Sequence, residues 1–508
     1  MLFNSYEFLV GFLPLAFFLF WYGGRSLRWR LGFLTIASYC FYSWWQFSDW
    51  RDLLGSLRIL SWEDACNSLW AWRFTGILLA SSSVDYWAAK WLVRTPKEKI
   101  GRRKLLLALS ITANLSILGF FKYLGFFSQI LSDLHRFIGG GPLPIFAVIL
   151  PIGISFYTFE SMSYVIDIYR GMAKPAETYL DYACFISFFP HLICGPIIRY
   201  SDLLHQFRDP NWLRRGPDWD QVHIGLMLFS AGMAKKLLLA DKIAPYINPL
   251  WSHLGTGQTL GLAGSWAAVL GFTFRMYFDF SAYSDMAVGL GHLFGLRLPQ
   301  NFNSPYKAAD PGDVWRRWHM SLTAWLRDYL FIPLGGMRKP ARNLLITLAV
   351  CGLWHGAAWL FIVWGAYQAL VIIAFRFLKS HGWVPSRDNP VGYWFNRQVT
   401  FLLIVIGGVF FRGADIHSQY YGFQSILPAI WMLKQLVGLD GITSVAVVPV
   451  QLWLLLAFSW IWCNFAPNSF EVAYNAPPLR RYALAAGALM AVCFLQLGQP
   501  VDFLYFRF

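Results

Sequence analysis

Two histidines stand in apolar, aromatic stretches of this chain and could carry proton-transfer chemistry. His319 closes the sequence WRRWH (315–319), and His355 lies within CGLWHGA (351–357). A neutral imidazole can accept a proton from a hydroxyl or thiol group and return it near pH 7. An ionisable side chain inside a membrane span is costly and by default indicates function. The pair therefore predicts a site assembled inside a lipid bilayer.

Each histidine, taken by itself, also has a purely structural interpretation. His355 could bridge two helices, although Gly352 and Gly356 beside it favour close helix packing or leave room for a substrate. The stretch 315–329 repeats apolar residues at helical spacing, which predicts one helix with His319 on its apolar face. Such a helix could simply lie at the membrane interface, with its tryptophans at headgroup depth.

A third polar cluster interrupts the apolar segment 275–285. Arg275 and Asp279 are four positions apart and could pair on one helix face, which would reduce the cost of burying both charges. A structural lock and a catalytic role both remain open for this pair.

Several catalytic motifs are absent from the chain. It contains no G-x-S-x-G, no G-x-x-x-x-G-K-[ST] and no H-E-x-x-H. A serine-hydrolase site, an ATP site and a zinc-protease site are therefore poorly supported, and we predict no metal site.

The elements that carry these residues are predicted to be membrane helices. Hydrophobic residues make up 57% of the 508 positions and charged residues only 14%, against about 25% charged in soluble domains. The net charge of +15 is spread over short Lys and Arg clusters between apolar runs, as in cytoplasmic loops of membrane proteins. No basic face or nucleic-acid-binding motif accompanies them, so we predict no nucleic-acid partner.

The predicted fold class is all-α, with roughly 10–13 membrane helices in a single membrane domain over residues 1–508. The predicted spans are 8–22, 31–46, 70–93, 105–122, 143–168, 222–249, 258–274, 276–294, 342–378, 397–411, 446–465 and 480–498. The span 342–378 is long enough for two segments. Shorter apolar pieces that could be re-entrant or interfacial are 124–137, 180–198, 315–334 and 420–437.

The placement of charge predicts the orientation in the membrane. Segments 23–30 and 94–104 are basic, whereas the intervening segment 47–65 holds four acidic residues. The positive-inside rule then places the N-terminus outside and both basic segments in the cytoplasm. A further basic segment, 338–342, is predicted to be cytoplasmic too, which puts His355 roughly 20 Å along a helix from that side.

Longer motifs resemble the membrane-bound O-acyltransferase family, in particular its bacterial branch that modifies extracellular polysaccharides. The motifs are FDFSAYSDMAVGLGHLFGLRLPQNFNSPY (278–306), VWRRWHMSLTAWLRDYLFIPLGG (314–336) and CGLWHGAAWLFIVWGAYQAL (351–370). The likeness extends over nearly the whole chain and is strongest in a motif-rich core at 151–370.

The resemblance implies a helical bundle around a funnel whose two openings meet near the buried His355. It implies a membrane O-acetyltransferase with His319 and His355 as catalytic residues. The expected donor is a cytoplasmic thioester, acetyl-CoA, used as a substrate, with no permanently bound cofactor. The expected acceptor is an extracytoplasmic polysaccharide, reached with a periplasmic acetyltransferase-like or esterase-like partner. The expected location is the bacterial inner membrane, in contact with membrane lipid.

The resemblance also assigns roles to individual residues. His355 would be the general base, and His319 would orient the donor, stabilise the oxyanion or carry a second proton. Residues expected to bind the phosphates of coenzyme A are Arg316, Arg317, Lys307 and Arg338. Residues expected to support the histidines are Asp279, Tyr283, Asn303, Trp318 and Trp354.

Two other functions remain open at this point. A transporter could use the histidines as a proton relay, although such proteins often contain inverted repeats and none is visible in this chain. An acyltransferase acting on a lipid or protein acceptor is the second alternative, and the closeness to the polysaccharide-modifying branch argues against it.

Overall fold

The described part of the chain consists of helices and loops without a β-strand, which confirms the all-α fold class. A computed structural model describes residues 1–44, 72–146, 148–213, 216–416, 426–441, 448–477, 479–498 and 503–504. The acidic segment 47–65 lies outside the described residues, as do parts of the predicted pieces 31–46, 70–93, 420–437 and 446–465.

Twenty-one α-helices follow one another in this part. The first eleven are α1 (Leu13–Tyr22), α2 (Leu27–Ser43), α3 (Arg73–Arg94), α4 (Ile100–Leu118), α5 (Leu124–Phe137), α6 (Ile154–Arg170), α7 (Tyr179–Ser187), α8 (Phe189–Leu192), α9 (Tyr200–Phe207), α10 (Trp219–Ala234) and α11 (Asp241–Gly255). The others are α12 (Gly261–Leu293), α13 (Pro311–Trp315), α14 (Met320–Leu326), α15 (Pro340–His355), α16 (Trp359–Ser380), α17 (Pro390–Ile416), α18 (Leu427–Leu436), α19 (Val450–Phe465), α20 (Ser469–Asn475) and α21 (Arg480–Phe494). Single π-helical turns occur at Glu7–Phe12, Gly119–Tyr123, Lys235–Ala240 and Arg327–Phe331.

Helix α12 forms the centre of the molecule. Its 33 residues are nearly all buried, and it packs against α10, α11 and α17. A helix with buried residues on every face must be surrounded by other helices, which here also cover its charged side chains. The sequence predicts two spans here, 258–274 and 276–294, whereas the structure has one continuous helix.

Four helical stretches in the described part are long and apolar enough to cross a membrane. They are Ile100–Phe137, Trp219–Gly255, Trp359–Ser380 and Pro390–Ala414, and a bent pair, Val450–Phe465 with Ser469–Asn475, would be a fifth. This number is below the predicted 10–13. Other predicted spans form helices of only 17 residues, such as α2 and α6, or carry several charged side chains, as α12 does.

Two predicted spans differ from the structure for a local reason. The span 143–168 begins as helix only at Ile154, because Pro142, Pro144 and Pro151 remove backbone donors and disfavour a helical residue before them. The span 342–378 divides into α15 and α16 at Gly356–Ala358, as its length allowed. His355 is therefore the last residue of α15.

Candidate active site

His319 lies at a break between two short helices. The sequence predicts one helix through 315–329, and this prediction is wrong, because α13 ends at Trp315 and α14 begins at Met320. His319 has a φ of 43°, in the left-handed region that residues other than glycine seldom adopt. Such strain persists only where surrounding contacts enforce it, and it is concentrated at functional sites.

The enforcing contacts come from the preceding segment 301–303. Met320 N donates to Asn301 O at 3.0 Å, and Asn303 N donates to Arg317 O at 2.9 Å. The Asn301 side-chain oxygen accepts from both the backbone N (3.1 Å) and the hydroxyl (2.9 Å) of Ser321. These bonds satisfy the first backbone donors of α14, which would otherwise lack partners. They replace the helical bonds that a continuous helix would have made.

The His319 ring is enclosed by aromatic side chains. It is 1% exposed. Its centroid lies 4.9 Å from Phe280, 6.1 Å from Trp354 and 6.3 Å from Phe156. Neither ring nitrogen has a hydrogen-bond partner within the described residues. Buried polar groups are nearly always satisfied, so two unpartnered nitrogens on one buried ring are unusual.

His355 is held where α15 meets α16. A Cβ atom at Gly352 would overlap the carbonyl of Phe361, and one at Gly365 would overlap the carbonyl of Leu348. The two helices thus approach until their backbones are in contact, which only glycine permits. Close helix approach, one of the two reasons predicted for Gly352, is confirmed by this contact.

His355 lines the first cavity, which has a volume of about 680 Å³. The centroid of the His355 ring lies 5.2 Å from both Trp364 and Phe411. The other walls come from α12, α16, α17 and the segment before α14, and they include Met276, Phe280, Trp315, Trp318 and Gln368. A mostly apolar pocket with a few polar groups is the usual form of a ligand site.

A second cavity, of about 410 Å³, has Trp354 in its wall. Its walls include Lys122, Ser155, Phe156 and Cys194. Trp354 also contacts both histidine rings, with centroid distances of 6.1 Å to His319 and 5.0 Å to His355. The tryptophan therefore stands between the second cavity and the histidine pair.

Comparison with known proteins identifies the fold family of this site. The model of the membrane-bound O-acyltransferase family matches residues 177–382, which include both histidines. A probable alginate O-acetylase, AlgI, of Pseudomonas aeruginosa is 36% identical over 94% of this chain and 87% of its own length. The chain belongs to the membrane-bound O-acyltransferase family.

Two further relatives show the range of the family. The peptidoglycan O-acetyltransferase of Helicobacter pylori is 32% identical over 87% of this chain and 81% of its own length. The teichoic acid D-alanyltransferase of Bacillus subtilis is 28% identical over 53% of this chain and 70% of its own length. This member of the family is accordingly a multi-pass membrane acyltransferase.

The four cationic residues predicted for coenzyme A differ in their surroundings. Arg316 and Arg317 share the carboxylate of Asp313, at 3.3 and 2.8 Å. Lys307 donates to the carbonyl of Ala466 at 2.7 Å. Arg338 is exposed in the turn before α15. Arg316 and Arg338 are thus exposed, whereas Arg317 and Lys307 are less exposed and bound to neighbouring groups.

Asp279 takes part in a buried ion cluster in the centre of the bundle. Lys236 contacts Asp279 at 2.7 Å and Asp241 at 2.8 Å. Arg275 donates to Asn248 at 2.8 Å. Asp279 of α12 therefore pairs with Lys236 of the π-helical turn after α10, in place of its predicted partner Arg275.

The other supporting residues fall into two groups. Trp318 lines the first cavity, and Trp354 bridges the histidines. The backbone N–H of Asn303 donates to Arg317 O. The ring of Tyr283 stacks on the ring of Phe3, with 4.6 Å between their centroids. Asp279, Tyr283 and Asn303 are not among the described residues that line either cavity.

Sequence reasoning missed two residues that organise the site, Asn301 and Lys122. Asn301 offered no signal, because its role depends on a turn about 20 positions further along the chain. Lys122 did offer one, since it stands alone among apolar residues in GFFKYLGFF (119–127) and a lone cation inside a span is costly.

Proposed function

We propose that this protein is a membrane O-acetyltransferase that passes an acetyl group from a cytoplasmic thioester, acetyl-CoA, towards an extracytoplasmic polysaccharide. The observation that carries the proposal is the pair of buried imidazoles about Trp354, one of them lining the first cavity. The relatives named above as acetylating alginate and peptidoglycan support a polysaccharide acceptor.

His355 acts in this proposal as the general base. Its imidazole removes the proton of an acceptor hydroxyl as that oxygen attacks the thioester carbonyl. The new C–O bond forms, the C–S bond breaks, and the proton returns from the imidazole to the departing thiolate. The acceptor belongs either to the glycan or to a periplasmic partner that relays the group.

His319 contacts the donor in the same step. Its two nitrogens have no partner within the described residues, so one of them can donate to the oxyanion that develops on the thioester carbonyl. Removing a donor of this kind from an acyl-transfer site costs about 10²–10³ in rate. The fixed backbone at residue 319 lets this donor be in place before the reaction begins.

The sidedness of the proposal follows from the basic segments. Helix α4 begins beside the basic segment 94–104, and α15 begins beside the basic segment 338–342. The positive-inside rule assigns both starts to the cytoplasm. In a bacterium with two membranes, this arrangement belongs to the inner one.

The experiment supplies labelled acetyl-CoA to purified protein in detergent or vesicles. We expect His319→Ala and His355→Ala each to lower acetyl turnover by at least about 10²-fold. His135→Ala is the matched control, because that half-buried histidine lies in the last turn of α5 and its ring bonds only to the carbonyl of Gly141 among the described residues. Unchanged turnover in both site variants would refute the catalytic assignment.

A further inference from the structure

The end of α15 is anchored by two consecutive side chains from another part of the chain. The last four carbonyls of a helix have no partner within it and must be satisfied from elsewhere. Tyr123 donates from its hydroxyl to Leu353 O at 2.8 Å. The Lys122 ammonium donates to Trp354 O at 2.5 Å and to His355 O at 3.1 Å. Two neighbouring residues thus bind three successive carbonyls.

The end of α15 lacks the usual left-handed glycine cap. α15 does not end in a left-handed glycine, because Gly356 is extended, with a φ of −167° and a ψ of 157°. A cation at a helix C-terminus also interacts favourably with the partial negative charge of the helix dipole. Lys122 therefore caps the end of α15 with a charged group from a distant part of the chain, and this group contacts the carbonyl of His355.

A break in the helical register brings both side chains to α15. Lys122 and Tyr123 end the π-helical turn Gly119–Tyr123 between α4 and α5. In a regular α-helix consecutive side chains point about 100° apart, and a π-turn changes this spacing. Such turns are rare and are frequently found at functional sites.

Lys122 also connects the histidine pair to the second cavity. Its ammonium lies 5.7 Å from the centroid of the Trp354 ring and 3.3 Å from the hydroxyl of Ser155. Lys122, Ser155 and Trp354 all line that cavity. A displacement of Lys122 would move the last turn of α15, and with it the tryptophan that separates the second cavity from the histidines.

We infer that Lys122 is a positioning residue for acyl transfer, which fixes Trp354 and His355 by binding the final carbonyls of α15. The inference rests on the proposed function, since it assigns Lys122 an effect exerted through His355. Lys122 need not touch the acetyl group, because its three donors are directed at oxygen atoms of the protein.

The test compares Lys122→Met, Lys122→Arg and Tyr123→Phe by kcat and by KM for acetyl-CoA, normalised to folded, monodisperse protein. We expect Lys122→Met to lower kcat by about 10- to 100-fold with little change in KM, because a displacement of about 1 Å at a reacting group can cost that much. Lys122→Arg should recover part of the loss, since it keeps the charge and the donors. Tyr123→Phe should have the smallest effect, because it leaves both hydrogen bonds from Lys122 to the carbonyls of α15 intact.

A second background separates this inference from the proposed function. If Lys122 acts through His355, Lys122→Met should cost little further activity in a His355→Ala protein. A kcat of Lys122→Met equal to wild type would overturn the inference, as would a loss that adds in full to that of His355→Ala. Wild-type turnover by His355→Ala itself would instead overturn the proposed function. Should Lys122→Met fail to fold, Lys122→Gln, which is shorter and uncharged, replaces it in the same two backgrounds and is judged by the same criteria.

Discussion

At the scale of single residues, His319 bears two costs that a structural residue would avoid. A left-handed backbone at a side chain other than glycine is unfavourable by roughly 1–2 kcal/mol, and its buried nitrogens have no partner within the described residues. Backbone N–H groups of Met320 and Ser321 donate hydrogen bonds to Asn301 oxygen atoms, and these bonds hold His319 in its left-handed conformation. Both costs are explained if the imidazole forms a hydrogen bond with a reactant.

Substitutions at His319 can separate its backbone role from its chemistry. Asparagine adopts left-handed conformations more readily than most residues, so His319→Asn should keep a thermal midpoint close to wild type while losing at least about 10²-fold in acetyl turnover. His319→Ala should lose the same activity and also about 1 kcal/mol of stability. Thermal unfolding in detergent, followed beside the turnover assay, measures both. Near-normal activity of His319→Asn would show that only the turn is needed.

At the scale of elements, the site depends on how closely α15 and α16 approach. Their backbones touch at Gly352 and Gly365, and the three-residue connection Gly356–Ala358 leaves His355 beside Trp364. The small residues beside His355 predicted either close helix packing or room for a substrate. The partner of each glycine could not be predicted, because it depends on the angle at which the two helices cross.

Gly365→Ala tests this packing. The added methyl group would overlap the carbonyl of Leu348, so the helices must separate, and overpacking of this kind costs about 1–3 kcal/mol. We expect a lower thermal midpoint together with a lower kcat, because His355 moves with α15. Gly487→Ala is the matched control, since a Cβ there meets nothing within 4 Å and lies on an exposed helix face. Equal effects of the two substitutions would contradict this account.

At the scale of the whole molecule, two long helices relate the basic side of the protein to its buried centre. α4 and α15 each begin next to a basic segment, and the residues at their far ends meet, where Lys122 and Tyr123 bind the end of α15. The two helices therefore run in the same direction from the predicted cytoplasmic side. In the proposed orientation, Arg338 lies on the cytoplasmic side and His355 lies deeper in the membrane.

Arg338→Gln tests which side the donor enters. A single exposed ion pair contributes about 0.2–1 kcal/mol, so we expect KM for acetyl-CoA to rise roughly two- to fivefold. KM for acetyl-pantetheine, which lacks the nucleotide phosphates, should not change. Arg136→Gln is the control, since that exposed arginine lies in the last turn of α5, further than Lys122 from the predicted cytoplasmic side. A rise with Arg136→Gln and none with Arg338→Gln would reverse the assigned orientation.

The amino-acid sequence alone determined the helical membrane class, the basic segments and the two histidines, because hydropathy, charge and an ionisable residue in an apolar run are local properties. Only the tertiary structure decided that His319 lies in a left-handed break, that Trp354 contacts both histidine rings, and that Lys122 anchors the end of α15. Each of these depends on contacts between distant positions, and the contact of Lys122 with Trp354 joins residues 232 positions apart. The apolar periodicity of 315–329 predicted one helix. Backbone hydrogen bonds that join this stretch to Asn301 and Asn303 interrupt the helix at His319.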